Sequence, residues 1–178
     1  MEDSEQIQIL QHLISINSVN DHEADVAAYI QQLFADHGIT SQIIPYADGR
    51  ANIIAEIGDT TSDQVFALAG HLDTVATGDV ADWKFDPFSA HIVDNQLYGR
   101  GAADMKSGLA AMVITLINLA DQQTPLTGRL RFIGTVGEEN GAMGSRMLTE
   151  KGVADDLTAM VIGEPTCLLY TSDAADEA

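Results

Sequence analysis

Apolar positions first recur at helical spacing: Ile7, Leu10, Leu13 and Ile14 predict an amphipathic helix near the start of the chain. Asn20 followed by Glu23 resembles a capping box opening a second helix, whose Val26, Ile30, Leu33 and Phe34 share one face and which Gly38 stops. The period then shortens. Runs at 41–44, 52–57 and 65–69 predict strands, and 91–98 reads as a hairpin around Asp94-Asn95. Residues 107–119 are apolar nearly all round, which suits a helix buried between a sheet and other elements. A strand at 129–136, a short helix at 142–150 and a strand at 159–162 complete the pattern. Strands alternating with helices indicate an α/β layered domain with a largely parallel or mixed sheet, whose strand order the pattern leaves open.

The length, 178 residues, suits one domain or part of a larger one, and 46% hydrophobic residues suffice for a buried core. Eight Lys and Arg against 27 Asp and Glu give a formal charge of −19, which repels phosphate backbones and anionic lipid and argues against nucleic-acid and membrane partners. The same carboxylates are ligands for hard and borderline cations. A lone cysteine, Cys167, excludes a disulfide scaffold. Met1-Glu2-Asp3-Ser4-Glu5 lacks the basic start of a secretory signal, and no run reaches the roughly 18 apolar residues of a membrane span, so the expectation is a cytoplasmic protein. After Thr166 the texture changes, and 167–177 looks like a translated sequencing adaptor. The expectation is therefore a native portion at 1–166 from a truncated frame and a non-native tail at 167–178.

Chemistry-bearing residues gather at strand ends and in the loops that follow. His71 and Asp73 lie two apart and share one face of an extended backbone, so His71 can bind a metal while Asp73 orients its ring. Alone, this pair also reads as a hydrogen-bonded loop histidine. Asp104, in a glycine-bearing stretch before the apolar helix, also reads as a helix cap. Glu138 and Glu139 follow a strand, and adjacent side chains there point opposite ways, which allows two different jobs; Glu164 follows the last strand. Each alone also reads as a solvated turn. Lys106 and Arg100 read either as counter-charges to these acids or as surface residues. His91 reads as a surface hairpin residue, His12, His22 and His37 as helix-associated, and Trp83 to Phe88 as a loop packed near the acids. Together, one histidine and several carboxylates at strand ends suit a pair of zinc or related ions with one bridging carboxylate.

In these four ordered motifs the sequence resembles the two-zinc amidohydrolases and exopeptidases, which include succinyl-diaminopimelate desuccinylase, acetylornithine deacetylase, aminoacylase and related carboxypeptidases. Ala76 departs from the proline many members carry there. The resemblance implies an incomplete layered mixed-sheet catalytic domain of a zinc hydrolase. His71, Asp104 and Glu164 would hold one zinc, with Asp104 bridging to a second shared with Glu139; cobalt is an alternative metal. Glu138 would be the general base and Asp73 the partner of His71. The implied reaction is hydrolysis of an amide in a small N-acyl amino acid or peptide. Succinyl-diaminopimelate is the first choice of substrate; acetylornithine, a dipeptide or a carboxypeptidase substrate is the alternative. Family members take a further histidine from near the far C-terminus, beyond an inserted domain that mediates homodimerisation. Nothing after Glu164 supplies that histidine, so the expectation is at most one tightly held zinc, little activity, and a dimer only for the full-length enzyme. The competing reading is a non-catalytic metal-binding module.

Overall fold

Five strands form one mixed sheet in the order β1-β2-β6-β3-β7: β1 (Ser41–Ala47), β2 (Arg50–Gly58), β3 (Val65–His71), β6 (Arg129–Thr135) and β7 (Ala159–Ile162). Strands β4 (His91–Val93) and β5 (Gln96–Tyr98) make a separate hairpin. The structure, a computed structural model, describes residues 1–165, so the tail expected at 167–178, with Cys167, lies outside the described residues. Antiparallel pairs join β1 to β2 and β2 to β6, whereas β3 runs parallel to both β6 and β7.

The alternation within strands sorts their side chains onto two faces. Ile53, Ala55 and Phe132 pack with Leu13, Ile30, Phe34, Leu109, Val113 and Leu116, which come from α1 (Asp3–Ser15), α2 (Glu23–Asp36) and α3 (Ser107–Asp121). Ala67, Ala69 and Ile133 face the other way, toward Leu148 of α4 (Met143–Glu150). The hairpin turns at Asp94 and Asn95 as the sequence implies, with φ of 52° and 60°, the left-handed pair that a two-residue hairpin loop requires.

Two local expectations fail. The capping box at Asn20 and Glu23 does not form: His22 occupies the cap position, and no side chain bonds the first turn. Asn20 instead accepts a hydrogen bond from Asn140, and the Glu23 carboxylate is buried in an ion pair with Arg50. Helix α3 is not buried all round, because Ser107, Ala111 and Thr115 line an exposed side. Ala102–Asp121 is, among the described residues, long and apolar enough by composition to cross a membrane. Here, however, it packs its Leu109, Met112, Leu116 and Ile117 into the core. On β7, Met160, Val161 and Ile162 are about half exposed, and among the described residues this strand is paired on one side only.

Ion pairs fasten the α4 side to the sheet. Arg131 donates from Nε to Glu56 at 2.8 Å and from Nη1 to Asp156 at 2.7 Å, and Arg129 donates to Asp156 at 2.9 Å. The hydrogen bond from Arg131 holds the Asp156 carboxyl at about 2, with Arg129 adding to the effect. Because the folded value lies below the ordinary 3.8, this contribution is complete above about pH 4 and fades as pH falls toward 2. The carboxylate is 41% exposed, so screening limits its worth. Asp156→Asn is expected to lose about 0.5–1 kcal/mol at pH 7. The gap from the parent chain should close between pH 4 and 2, as urea unfolding across that range will show.

Candidate metal centre

The parallel register brings distant segments to one edge. His71 of β3 stands beside Thr135 of β6, and Ala69 stands beside Ile162 of β7, so all three strands end together. His71 and Asp73 leave from β3, Glu138 and Glu139 from β6, and Glu164 from β7. Asp104 arrives on the turn that leads into α3. The start of that helix lies hard against the end of β7: a Cβ at Gly108 would collide with the carbonyl of Gly163. Asp104 is not a helix cap. Its backbone is extended (φ −118°, ψ 102°), and Lys106, at the α3 cap position, makes no side-chain capping bond.

His71 is buried at the middle of this edge, 2% exposed. Its Nδ1 lies 2.9 Å from the Asp73 carbonyl oxygen and 3.5 Å from the Asp73 carboxylate. Nε2 faces outward, 3.0 Å from Asp104 Oδ1 and 3.6 Å from Glu164 Oε1. Ligand atoms of His71, Asp104 and Glu139 all lie within 4.8 Å of one another. The structure thus brings together His71, Asp73, Asp104, Glu139 and Glu164, with Glu138 lining the adjoining cavity.

Asp73 does more than its sequence spacing suggests. Fully buried, it accepts the backbone N–H groups of both Glu138 and Glu139, each at 3.1 Å, besides standing behind His71. One carboxylate therefore ties the β3 and β6 ends together. Burial opposes its charge, but His71 and the Glu138 N–H hold its pKa below the ordinary carboxylate value. Burial likewise opposes charge on His71, yet Asp73, Asp104 and Glu164 bring it up to about 9. Glu139 is raised by burial and by the neighbouring charge of Asp104, with His71 opposing. Glu164 is raised by burial too, with repulsion from Asp104 and Glu138 adding and His71 opposing. Converging carboxylates around an imidazole whose second nitrogen is already engaged are a mixed nitrogen and oxygen donor set, which fits zinc or a related divalent ion.

Neither basic residue counters these acids. Lys106 is 1% exposed and points the opposite way, donating from Nζ to the carbonyls of Leu13 at 2.8 Å and Ile16 at 2.7 Å. Burial lowers its pKa to about 7; the neutral amine still has two N–H donors, enough for both carbonyls. Arg100 lies over the Trp83 ring, 5.1 Å from its centroid. Trp83 itself donates to the Thr77 carbonyl. His91 is exposed and stacks on Phe85, and His37 pairs with Asp121.

Sequence reasoning missed the cavity beside the centre, about 340 Å³, lined by α4, the segment after it and the strand ends. His71, Glu138 and Glu164 line one end, and Leu148, Val153 and Leu157 line the rest. Its signal was the apolar face of 142–157, but only the packing of α4 shows that this face meets the strand ends. The centre is open as well: the Asp104 side chain is 54% exposed and that of Glu164 is 39% exposed.

The family model described as "Peptidase family M20/M25/M40" matches residues 67–174. A curated relative from Staphylococcus epidermidis, named "Probable succinyl-diaminopimelate desuccinylase", is 40% identical over 166 residues, covering 93% of this chain and 40% of its own. Human carnosine dipeptidase 1 superposes with a TM-score of 0.76 at 23% identity, over 93% of this chain and 39% of its own. A Bacillus subtilis structure titled as a dinuclear metal-binding peptidase of the M20 family gives a TM-score of 0.67 at 22% identity, over 89% of this chain and 42% of its own. The chain thus spans about 40% of the length of these relatives.

Replacing Asp73 by Asn turns an NH₂ toward a backbone N–H that the carboxylate accepts. Asp73→Asn is expected to lower stability by about 1–3 kcal/mol and divalent-metal affinity about 10–100-fold. Paired denaturation and cobalt titrations measure both.

Proposed function

The chain belongs to peptidase family M20/M25/M40, and from that premise we propose that it supplies, as 1–166, the N-terminal portion of the catalytic domain of a metal-dependent amide hydrolase. The observation that carries this reading is the approach of His71, Asp104 and Glu139 to within 4.8 Å at the ends of parallel strands. In this reading His71, Asp104 and Glu164 would hold one zinc, and Asp104 and Glu139 would hold a second. The exposure of Asp104 and Glu164 supports an incomplete centre, completed by a histidine that a longer polypeptide would carry beyond a dimerising domain. The 178-residue chain then holds one ion well and turns over weakly.

When bound, the ions supply Lewis acidity toward an amide carbonyl and lower the pKa of water. Glu138, anchored through its N–H to Asp73, takes the proton of the attacking water and passes it to the leaving amine as the carbon–nitrogen bond breaks. The products are a carboxylate and a free amine. Asp73 keeps the His71 ring turned so that Nε2 faces the ligand cluster. For substrate, the 40% identity to the Staphylococcus epidermidis relative supports succinyl-diaminopimelate, with acetylornithine or a small peptide as alternatives.

The test is turnover by the gene extended to the length of its relatives, offered succinyl-diaminopimelate, N-acetylornithine and dipeptides. Hydrolysis that requires added metal is expected. Glu138→Gln should lower kcat by roughly 10²–10⁴-fold while metal content is unchanged. A Glu138→Gln variant as fast as its parent contradicts the assignment of the base.

A further inference from the structure

The loop carrying Glu138 and Glu139 is held from behind by β2, a strand that contributes no ligand. Asn52 on that strand is fully buried, and its Oδ1 accepts the N–H of Val136 at 2.9 Å, where β6 runs into the loop. Two residues earlier on the same face stands Arg50. Glu23 accepts from its Nε at 3.0 Å and also from Nη2, and Asp21 lies 3.0 Å from Nη1. The guanidinium packs against the turn: Gly137 has a φ of 67°, and a Cβ there would fall 2.8 Å from Arg50 Nη2. Gly144 closes the other side, donating to the Val136 carbonyl at 2.8 Å, and a Cβ on it would collide with Asn52 Oδ1.

Asn52 keeps this arrangement at a disadvantage, because its Nδ2 is buried without a partner among the described residues. Ile53 and Ile54 beside it are apolar and pack into the two cores, so the amide oxygen is what this stretch of β2 offers to the loop. The N–H of Val136 goes to Asn52, and those of Glu138 and Glu139 go to Asp73. The loop is thus suspended between a side chain of β2 and one two residues past the end of β3.

We infer that Asn52, supported by the Glu23–Arg50 pair, is a positioning residue that sets where β6 ends and hence how Glu138 and Glu139 face the centre. Its catalytic meaning rests on the roles proposed above for those two glutamates.

Amide hydrogen exchange and cobalt binding on the 178-residue chain test it. In Asn52→Leu, exchange is expected to quicken at Val136 and also at Glu138 and Glu139, whose bonds go to Asp73. Cobalt affinity should fall about tenfold, with an altered visible absorption. Asn52→Asp, which keeps an acceptor for Val136 and puts a second oxygen in place of the unpartnered Nδ2, should retain protection at all three amides. Should Asn52→Leu fail to fold, Arg50→Lys withdraws the planar guanidinium from Gly137 and is expected to loosen Glu138 and Glu139 in the same way. Faster exchange confined to Val136, with cobalt affinity and spectrum unchanged, overturns the inference. Absence of cobalt uptake by the parent chain defeats the metal-centre reading separately, and the exchange pattern then decides the positioning role.

Discussion

Parallel pairing of β3 with β6 and β7 is the constraint on which the rest depends. Three segments far apart in sequence must leave the sheet at one edge, because parallel strands in register end together. The crossover through α3 then brings Asp104 to the same place, and close contact between Gly108 and Gly163 lets the helix approach that edge. Each candidate site residue sits within four positions of an element end, so rigid elements position the chemistry.

The edge gathers negative charge that the protein only partly compensates. In a chain of formal charge −19, Asp104, Glu139 and Glu164 meet around one imidazole, and Lys106, the buried cation nearest in sequence, is turned toward the carbonyls of α1 and its cap. Burial, with repulsion between the carboxylates adding to it, raises the pKa of Glu139 and Glu164, and the neighbouring carboxylates raise that of His71. Asp73 is exempt. Buried and supplied with two N–H donors, it keeps its charge and lends it to the alignment of His71.

Periodicity made the elements legible because each obeys its own local rule, and the strands at 52–57, 65–69 and 159–162 reappear with little change. The site residues were legible for a related reason: polar groups directly after apolar runs stand out. What remained hidden is tertiary. Glu23 follows Asn20 at capping spacing, yet its carboxylate is worth more to Arg50 across the fold than to its own helix. Lys106 lies two residues from Asp104 but on the other side of a turn. The second duty of Asp73, the amide of Asn52 against Val136, and the cavity under α4 all join segments dozens of residues apart, so no short window of sequence contains them.

In the proposed centre, the imidazole and carboxylates of these separate segments share one ion. Anomalous diffraction from crystals of the chain grown with zinc tests it most directly. A strong peak is expected against His71 Nε2, Asp104 and Glu164, with Glu139 on the far side of Asp104. Zinc bound only elsewhere on the acidic surface, with His71 turned from those carboxylates, would contradict it.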